Sequence, residues 1–179
     1  MNLEGLTESE VEEIVEYGIQ RGKVALLSAF AAIALGGIMG IFVQGIIFWL
    51  SFCSLRRYAG GYHADTQNRC FVISFAVLCL AYLWIKEMGH IGIPEFLVQS
   101  MMLLVILIFA PVENRNRILD ENEKQKYGKK TKRRAVLLYF VYVAVSFAKM
   151  PVFAAPIEAA FGVVAISLIA GNVKNTIVN

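Results

Sequence analysis

Residues 24–55 read VALLSAFAAIALGGIMGIFVQGIIFWLSFCSL, 32 consecutive positions without a formal charge. A helix that crosses a bilayer needs about 20 apolar residues. The run is therefore either one long tilted helix or two short helices joined by a tight turn. Gly36, Gly37, Gly40, Gln44 and Gly45 lie in its middle. Glycine adopts φ > 0 at little cost, so a reversal is cheap there. The choice decides which side of a membrane every later segment faces.

Composition supports the membrane setting. Of 179 residues, 58% are hydrophobic and only 17% charged, with a mean hydropathy of +0.60. Soluble domains are about a quarter charged. We expect an all-α, polytopic helical bundle forming a single integral membrane domain over 1–179. Four further apolar runs follow, at 71–85, 93–112, 135–149 and 152–173. Pro151 and Pro156 favour a break between the last two. Residues 1–22 place Leu3, Leu6, Val11, Ile14, Val15, Gly18 and Ile19 at spacings of three and four, as an amphipathic helix does. Thr7 and Glu10 fit a capping box at its start. Its polar face is acidic, which suits packing on the protein's own cytoplasmic face better than anionic lipid. The acidic N-terminus also differs from a secretory signal, so the first membrane helix is expected to serve as an uncleaved anchor.

Charge placement favours two helices in residues 24–55. The spans then fall at about 24–40, 42–56, 70–86, 93–112, 135–149 and 152–173. With the N-terminus inside, Arg21, Lys23, Arg56, Arg57, Arg69, Lys174 and the nine Lys and Arg of residues 113–134 all face the cytoplasm. Only Lys86 and Lys149 face out. The positive-inside rule selects this arrangement over the one-helix alternative. It makes 113–134 a basic, solvated cytoplasmic loop. Such a cluster is first a topogenic signal, and it also offers a surface for an acidic partner or anionic lipid heads. The net charge of +3 gives no reason to expect nucleic acid.

One polar stretch interrupts the apolar pattern: Arg56-Arg57-Tyr58-Ala59-Gly60-Gly61-Tyr62-His63-Ala64-Asp65-Thr66-Gln67-Asn68-Arg69-Cys70. On the six-span topology it joins spans two and three on the cytoplasmic side. A lone loop histidine is usually solvated, and a lone cysteine at a helix end is usually structural. Together they suggest a thiol nucleophile with its base. Residues seven apart on a straight helix are about 10 Å apart along the axis, whereas proton transfer needs about 3 Å. His63 must therefore fold back over the helix that carries Cys70, and Gly60-Gly61 permit that turn. Asp65, Thr66 and Asn68 are cap candidates that put Cys70 in or near the first turn of the third span. Helix N-termini and nearby cations favour a thiolate over a thiol. Asp65 is a candidate for orienting His63. Asn68, Gln67 and the backbone N–H groups at the helix start are candidate oxyanion donors. Tyr58 and Tyr62 suit membrane-interface anchors. His63, Cys70 and Asp65 offer too few ligands for zinc, and no metal or cofactor is expected. Cys53 and Cys79 sit in apolar runs as small hydrophobes.

The pattern Arg-x3-Gly-Gly-x-His, six residues and then Cys resembles the signature of the accessory gene regulator B (AgrB) family. The specific part is the fifteen-residue motif, and the hydropathy of nearly the whole chain is similar. The resemblance implies an integral membrane cysteine endopeptidase of the Gram-positive cell membrane, with both termini and the active site cytoplasmic. It would act on a short AgrD-like precursor peptide with an amphipathic helix, a signal segment and an acidic tail. Cleavage removes the tail and the signal is released as a thiolactone or lactone for quorum sensing. The catalytic pair carries onto His63 and Cys70, and the motif arginine and glycines onto Arg56, Gly60 and Gly61. Lys129, Lys130 and Lys132 are candidates for holding the acidic tail. A homodimer is compatible with the resemblance, and Gly36 and Gly40 form a GxxxG pair for close helix packing.

The alternative is a small transporter or peptide exporter without protease activity. Transport leaves ionisable residues facing a pathway inside the membrane. The spans hold few, with Glu158 the main exception.

Overall fold

A computed structural model describes residues 8–62, 66–87, 95–113 and 120–178. Among these the chain is all-helical: α1 (Glu8–Ile38), α2 (Phe42–Ala59), α3 (Gln67–Glu87), α4 (Glu95–Phe109), α5 (Glu121–Phe147) and α6 (Pro151–Val178). The charge-free run does reverse. Gly40 takes φ 74°, its N–H donates to Gly37 O, and the Ile41 N–H donates to Gly36 O at 2.8 Å. These two bonds form a Schellman cap, with glycine at the left-handed position it requires. Gly40 is thus spent on the turn. The close helix approach expected of Gly36 and Gly40 instead pairs Gly36 with Gly45 of α2 within the chain. Tyr82 of α3 locks that crossing, its hydroxyl donating to Ala32 O at 2.8 Å and Gly45 O at 3.3 Å.

Two helices run longer than expected. The described part of the amphipathic segment continues into the first apolar run as α1, since no proline separates them. Residues 121–134, expected in a solvated loop, are the amino-terminal half of α5. Asp120 caps that helix by accepting from the Glu121 N–H at 2.7 Å. Glu121 and Glu123 in the first turn favour its positive end. Lys, Glu and Gln are good helix formers, and Gly128 and Thr131 give the charged segment a buried face.

α6 is the central helix. Ala154, Ala155, Ala159, Ala160, Ala165 and Gly171 let neighbouring helices approach closely. Small residues matter here because lipid is as apolar as a helix face, so packing rather than water exclusion drives association. Pro151 opens α6, and Pro156 is accommodated inside it rather than breaking it. Arg69–Glu87 and Pro151–Ile177 are long and apolar enough to cross a membrane; Ala25–Ile38 and Phe96–Phe109 are shorter apolar helices. Six membrane-crossing helices are therefore more than these lengths establish.

α4 and α6 run parallel and α5 antiparallel to both. Met102 meets Gly162, and the Asn175 side chain donates to Glu113 O at 3.0 Å. Tyr139 hydrogen-bonds Ser100 at 2.8 Å, whereas Gly128 faces Pro111. The motif end of α2 is thereby surrounded by the end of α4, the start of α5 and the later turns of α6.

Candidate active site

The site is built on the end of α2. The helix stops at Ala59 because Gly60 and Gly61 both take positive φ, 70° and 118°. Past the stop, the chain pairs for one residue with the segment after α4. Gly60 bridges Val112 in parallel, and the Val112 N–H donates to Ala59 O at 2.9 Å. A Cβ on Gly60 would run into the Val112 carbonyl oxygen. A Cβ on Gly61 would strike the Arg56 guanidinium and lie 2.8 Å from Ser167 Oγ. α6 closes the other side, where Ser167 O accepts from the Tyr62 N–H at 2.9 Å. Gly171 is pressed so close that a Cβ there would sit 2.7 Å from Tyr62 N. The glycine pair thus provides close approach as much as a turn, and the resulting segment is wedged rather than free.

Arg56 fastens this wedge. Its Nη2 donates to Tyr62 O at 2.8 Å, reaching six residues along the chain. Its Nη1 is buried and meets no acceptor among the described residues.

Cys70 is half-buried in the first turns of α3. Thr66, one of three cap candidates, supplies the cap: its Oγ1 accepts from the Arg69 N–H at 3.3 Å, and its O from the Cys70 N–H at 3.0 Å. His63 and Asp65 lie outside the described residues, as do the side chains of Gln67 and Asn68. Arg57 and Arg69 are exposed, and Cys53 and Cys79 are half-buried on α2 and α3.

The aromatic and basic residues sort differently from the expectation. Tyr58 packs within the protein against α5, with Arg134 4.6 Å and Lys130 5.0 Å from its ring centroid, and the Tyr127 ring 5.7 Å away. Such cation–aromatic contacts are most favourable where water is reduced. Arg134 also donates to Ser54 O at 3.2 Å, binding α5 to α2. Tyr62 has Lys174 of α6 5.2 Å from its ring centroid. Lys130 therefore belongs to the packing around Tyr58. Lys129 and Lys132 instead join Lys124, Gln125, Gly128 and Pro111 around an open groove of about 300 Å³. Glu121 lines one end of it. Lys124 is bound at 3.1 Å to Glu113, which holds its ammonium above the usual lysine value, through the hydrogen bond first and the charge second.

Among the described residues no cluster of three or more His, Cys, Asp or Glu could hold a metal. The residues that sequence reading missed are Ser167, Gly171 and the Ala110–Val112 segment. A glycine inside an apolar helix does signal a close backbone approach, and Gly171 is one. Its partner 109 positions earlier carries no local signal.

The geometry is that of a half-buried thiol on a helix start, and of a half-buried arginine that pins a glycine segment held from two sides. Sequence comparisons relate the chain to known proteins. The pattern described as "Accessory gene regulator B" matches residues 1–174. AgrB-like protein 2 of Clostridium perfringens (strain 13 / Type A) is 26% identical over 74% of this chain and 65% of its own length. An AgrB-like protein of C. perfringens (strain SM101 / Type A) is 25% identical over the same shares. An AgrB-like protein of Listeria innocua serovar 6a is 24% identical over 76% of this chain and 67% of its own. The chain thus spans about two thirds of these curated relatives. No solved structure matches it. The match over 1–174 shows that the chain belongs to the accessory gene regulator B family.

Proposed function

We propose that this protein is a membrane-embedded cysteine endopeptidase that trims a small precursor peptide and promotes its closure to a (thio)lactone signal. The observation that carries this reading is half-buried Cys70 on the first turns of α3, a helix capped by Thr66, within a chain of this family. In the proposed reaction the Cys70 thiolate attacks the scissile carbonyl. His63 takes the thiol proton and returns it to the leaving amine. A thiol or hydroxyl within the bound peptide then attacks the thioester and closes the ring. Thioester exchange with a thiol is nearly energy-neutral, so the acyl group stays activated. A site sheltered at the membrane surface slows its loss to water. The protein sits in the cell membrane with six spans, and with its termini and site cytoplasmic. Charge placement supports that topology.

The groove beside Pro111 supports a home for the precursor's acidic tail, because Lys129 and Lys132 line it on successive turns of α5. Lys130, over the Tyr58 ring, acts in packing instead. Gln at both Lys129 and Lys132 should raise KM for precursor several-fold at low salt and much less at high salt. Gln at Lys130 should leave the salt dependence as it is. Equal effects of the two would separate the groove from tail binding.

The central test uses the purified full chain in liposomes with a candidate precursor peptide and mass detection of products. Cys70→Ala and His63→Ala should each abolish cleavage while keeping the melting temperature. Cleavage by either variant would remove the mechanism.

A further inference from the structure

Arg56 has one hand occupied and one empty. Nη2 is committed to Tyr62 O at 2.8 Å, which fixes the plane of the guanidinium. Nη1 is shut off from solvent and meets no acceptor among the described residues. Buried polar groups in proteins are nearly always paired, and an exception calls for an explanation such as an absent ligand. The neighbours narrow the choice. Nη1 rests against the α-carbon of Gly61, where any side chain would displace it. Ser167 closes the far side, with Oγ and O both within 3.0 Å of where a Gly61 Cβ would stand. Tyr62, whose carbonyl Nη2 holds, directly precedes His63, so the guanidinium lies at the catalytic motif. What is missing at Nη1 is an acceptor.

We propose that Arg56 is a catalytic residue of the reaction above, its Nη1 donating to the oxygen of the scissile carbonyl as Cys70 attacks. The proposal rests on the peptidase reading and deepens it. When the Cys70 Sγ–C bond forms, the carbonyl π pair moves onto oxygen, which becomes an alkoxide. Nη1 is a fixed, charged donor for that oxygen. As the C–N bond breaks, the pair returns to restore C=O and the amine leaves with the proton from His63. A donor that is already held in place needs no reorganisation when the charge develops, which is why such groups act strongly. Gly61 acquires a chemical reason to lack a side chain: a Cβ there would occupy the space of Nη1. The oxyanion role sought among Asn68, Gln67 and backbone N–H groups passes to a residue on the preceding helix.

The test compares full-length protein in liposomes with its Arg56→Gln and Arg56→Lys variants, using three readouts. The first is single-turnover cleavage of precursor. The second is affinity for a peptide aldehyde spanning the scissile site, which adds Cys70 Sγ to its carbonyl carbon and places an oxygen where the alkoxide forms. The third is Cys70 alkylation by iodoacetamide across pH. Arg56→Gln should lower the cleavage rate constant by about 10²–10³-fold and weaken the aldehyde in proportion. Alkylation should change far less than cleavage, by too little to account for that loss. Intact precursor should bind Cys70→Ala and Cys70→Ala/Arg56→Gln alike. Arg56→Lys, which keeps the charge but offers one head for two tasks, should fall between. If Arg56→Gln does not fold by its melting curve, Arg56→Lys decides alone: its cleavage rate and aldehyde affinity should fall together. Lost cleavage with unchanged aldehyde affinity would reduce Arg56 to a positioning residue and overturn the proposal. An alkylation profile that shifts enough to account for the loss would also overturn it, moving the effect to the thiolate. Failure of the parent reading looks different, because the unsubstituted protein would itself neither cleave precursor nor bind the aldehyde, and both would fall.

Discussion

The two ends of the fifteen-residue motif are held in opposite ways. Gly60 to Tyr62 is fixed from every side: Val112 on one edge, Ser167 and Gly171 of α6 on the other, and Arg56 across the end. Cys70 rides on α3, whose apolar span is only 17% buried, against 61% for that of α6. Phe71, Val72 and Phe75 just beyond it are exposed at 60%, 64% and 47%. α3 is gripped at its far end, where Ala81, Tyr82 and Ile85 enter the core. The segment leading to His63 is thus the fixed part, and Cys70 is carried by a helix anchored about three turns away. On the proposed peptidase reading, the wall that meets the scissile carbonyl is the tightly packed part and the helix that carries the thiol the loosely packed one.

The sharpest way to break the contrast is to change a side chain by one or two methyl groups at each end. Gly60→Ala puts a Cβ at positive φ against the Val112 carbonyl. Positive φ and the backbone clash together should cost about 3 kcal/mol or more. Gly171→Ala, at ordinary helical φ but with its Cβ against Tyr62 N and Gly61 C, should cost about 1–3 kcal/mol. It should also slow cleavage, although it touches no reacting atom. Val72→Ala, which removes methyl groups from the exposed face of α3, should stay within about 0.5 kcal/mol. Thermal melting in one detergent orders the three. A Val72→Ala loss as large as that of Gly171→Ala would erase the difference between the ends.

The next effect concerns the anchor of α3. Tyr82→Phe removes both carbonyl hydrogen bonds, to Ala32 and Gly45, and keeps the ring that packs edge-on against Phe48. Stability should drop by about 1 kcal/mol, the worth of one buried hydroxyl proton shared between two carbonyls. The alkylation rate of Cys70, twelve residues up the helix, should change along with it. An altered melting temperature with unaltered Cys70 reactivity would show that the amino end of α3 is held by something closer.

How much of this was legible in the sequence follows from the range of each signal. The reversal in 24–55 was readable because its cause is local: Gly40 supplies one dihedral that other residues resist. So was the cap of α3, since Thr66 acts on residues three and four along. The helix over 121–134 was not, because a run of lysines and glutamates looks like solvated loop until its buried face, Gly128 and Thr131, finds Pro111 and α2. Lys129 and Lys130 are adjacent in sequence and looked equivalent. Helix rotation sends one to the groove and the other to Tyr58. The Gly60-Gly61 pair was assigned its turn but not its wedge, since Ser167 and Gly171 lie more than a hundred residues away.

The smallest effect expected is at the groove rim, and its sign is fixed by the shift already described. Glu113 raises the Lys124 ammonium above its ordinary value. A lysine raised on folding stabilises the protein at every pH below its ordinary value, and that contribution is lost as pH climbs through the raised one. From pH 6 to about pH 9 the pair is constant, so Glu113→Gln should shift the melting temperature by the same small amount across that range. Above the lysine range the variant and the parent should converge. Both side chains are solvent-accessible, so the difference should also vanish in about 1 M salt, where screening is complete within about 3 Å. A large, salt-resistant loss would mean that Glu113 acts through its neighbours rather than through Lys124. The adjacent bond from Asn175 to the Glu113 carbonyl would then be the contact that ties the groove to α6 and, through Gly171, to the fixed end of the motif.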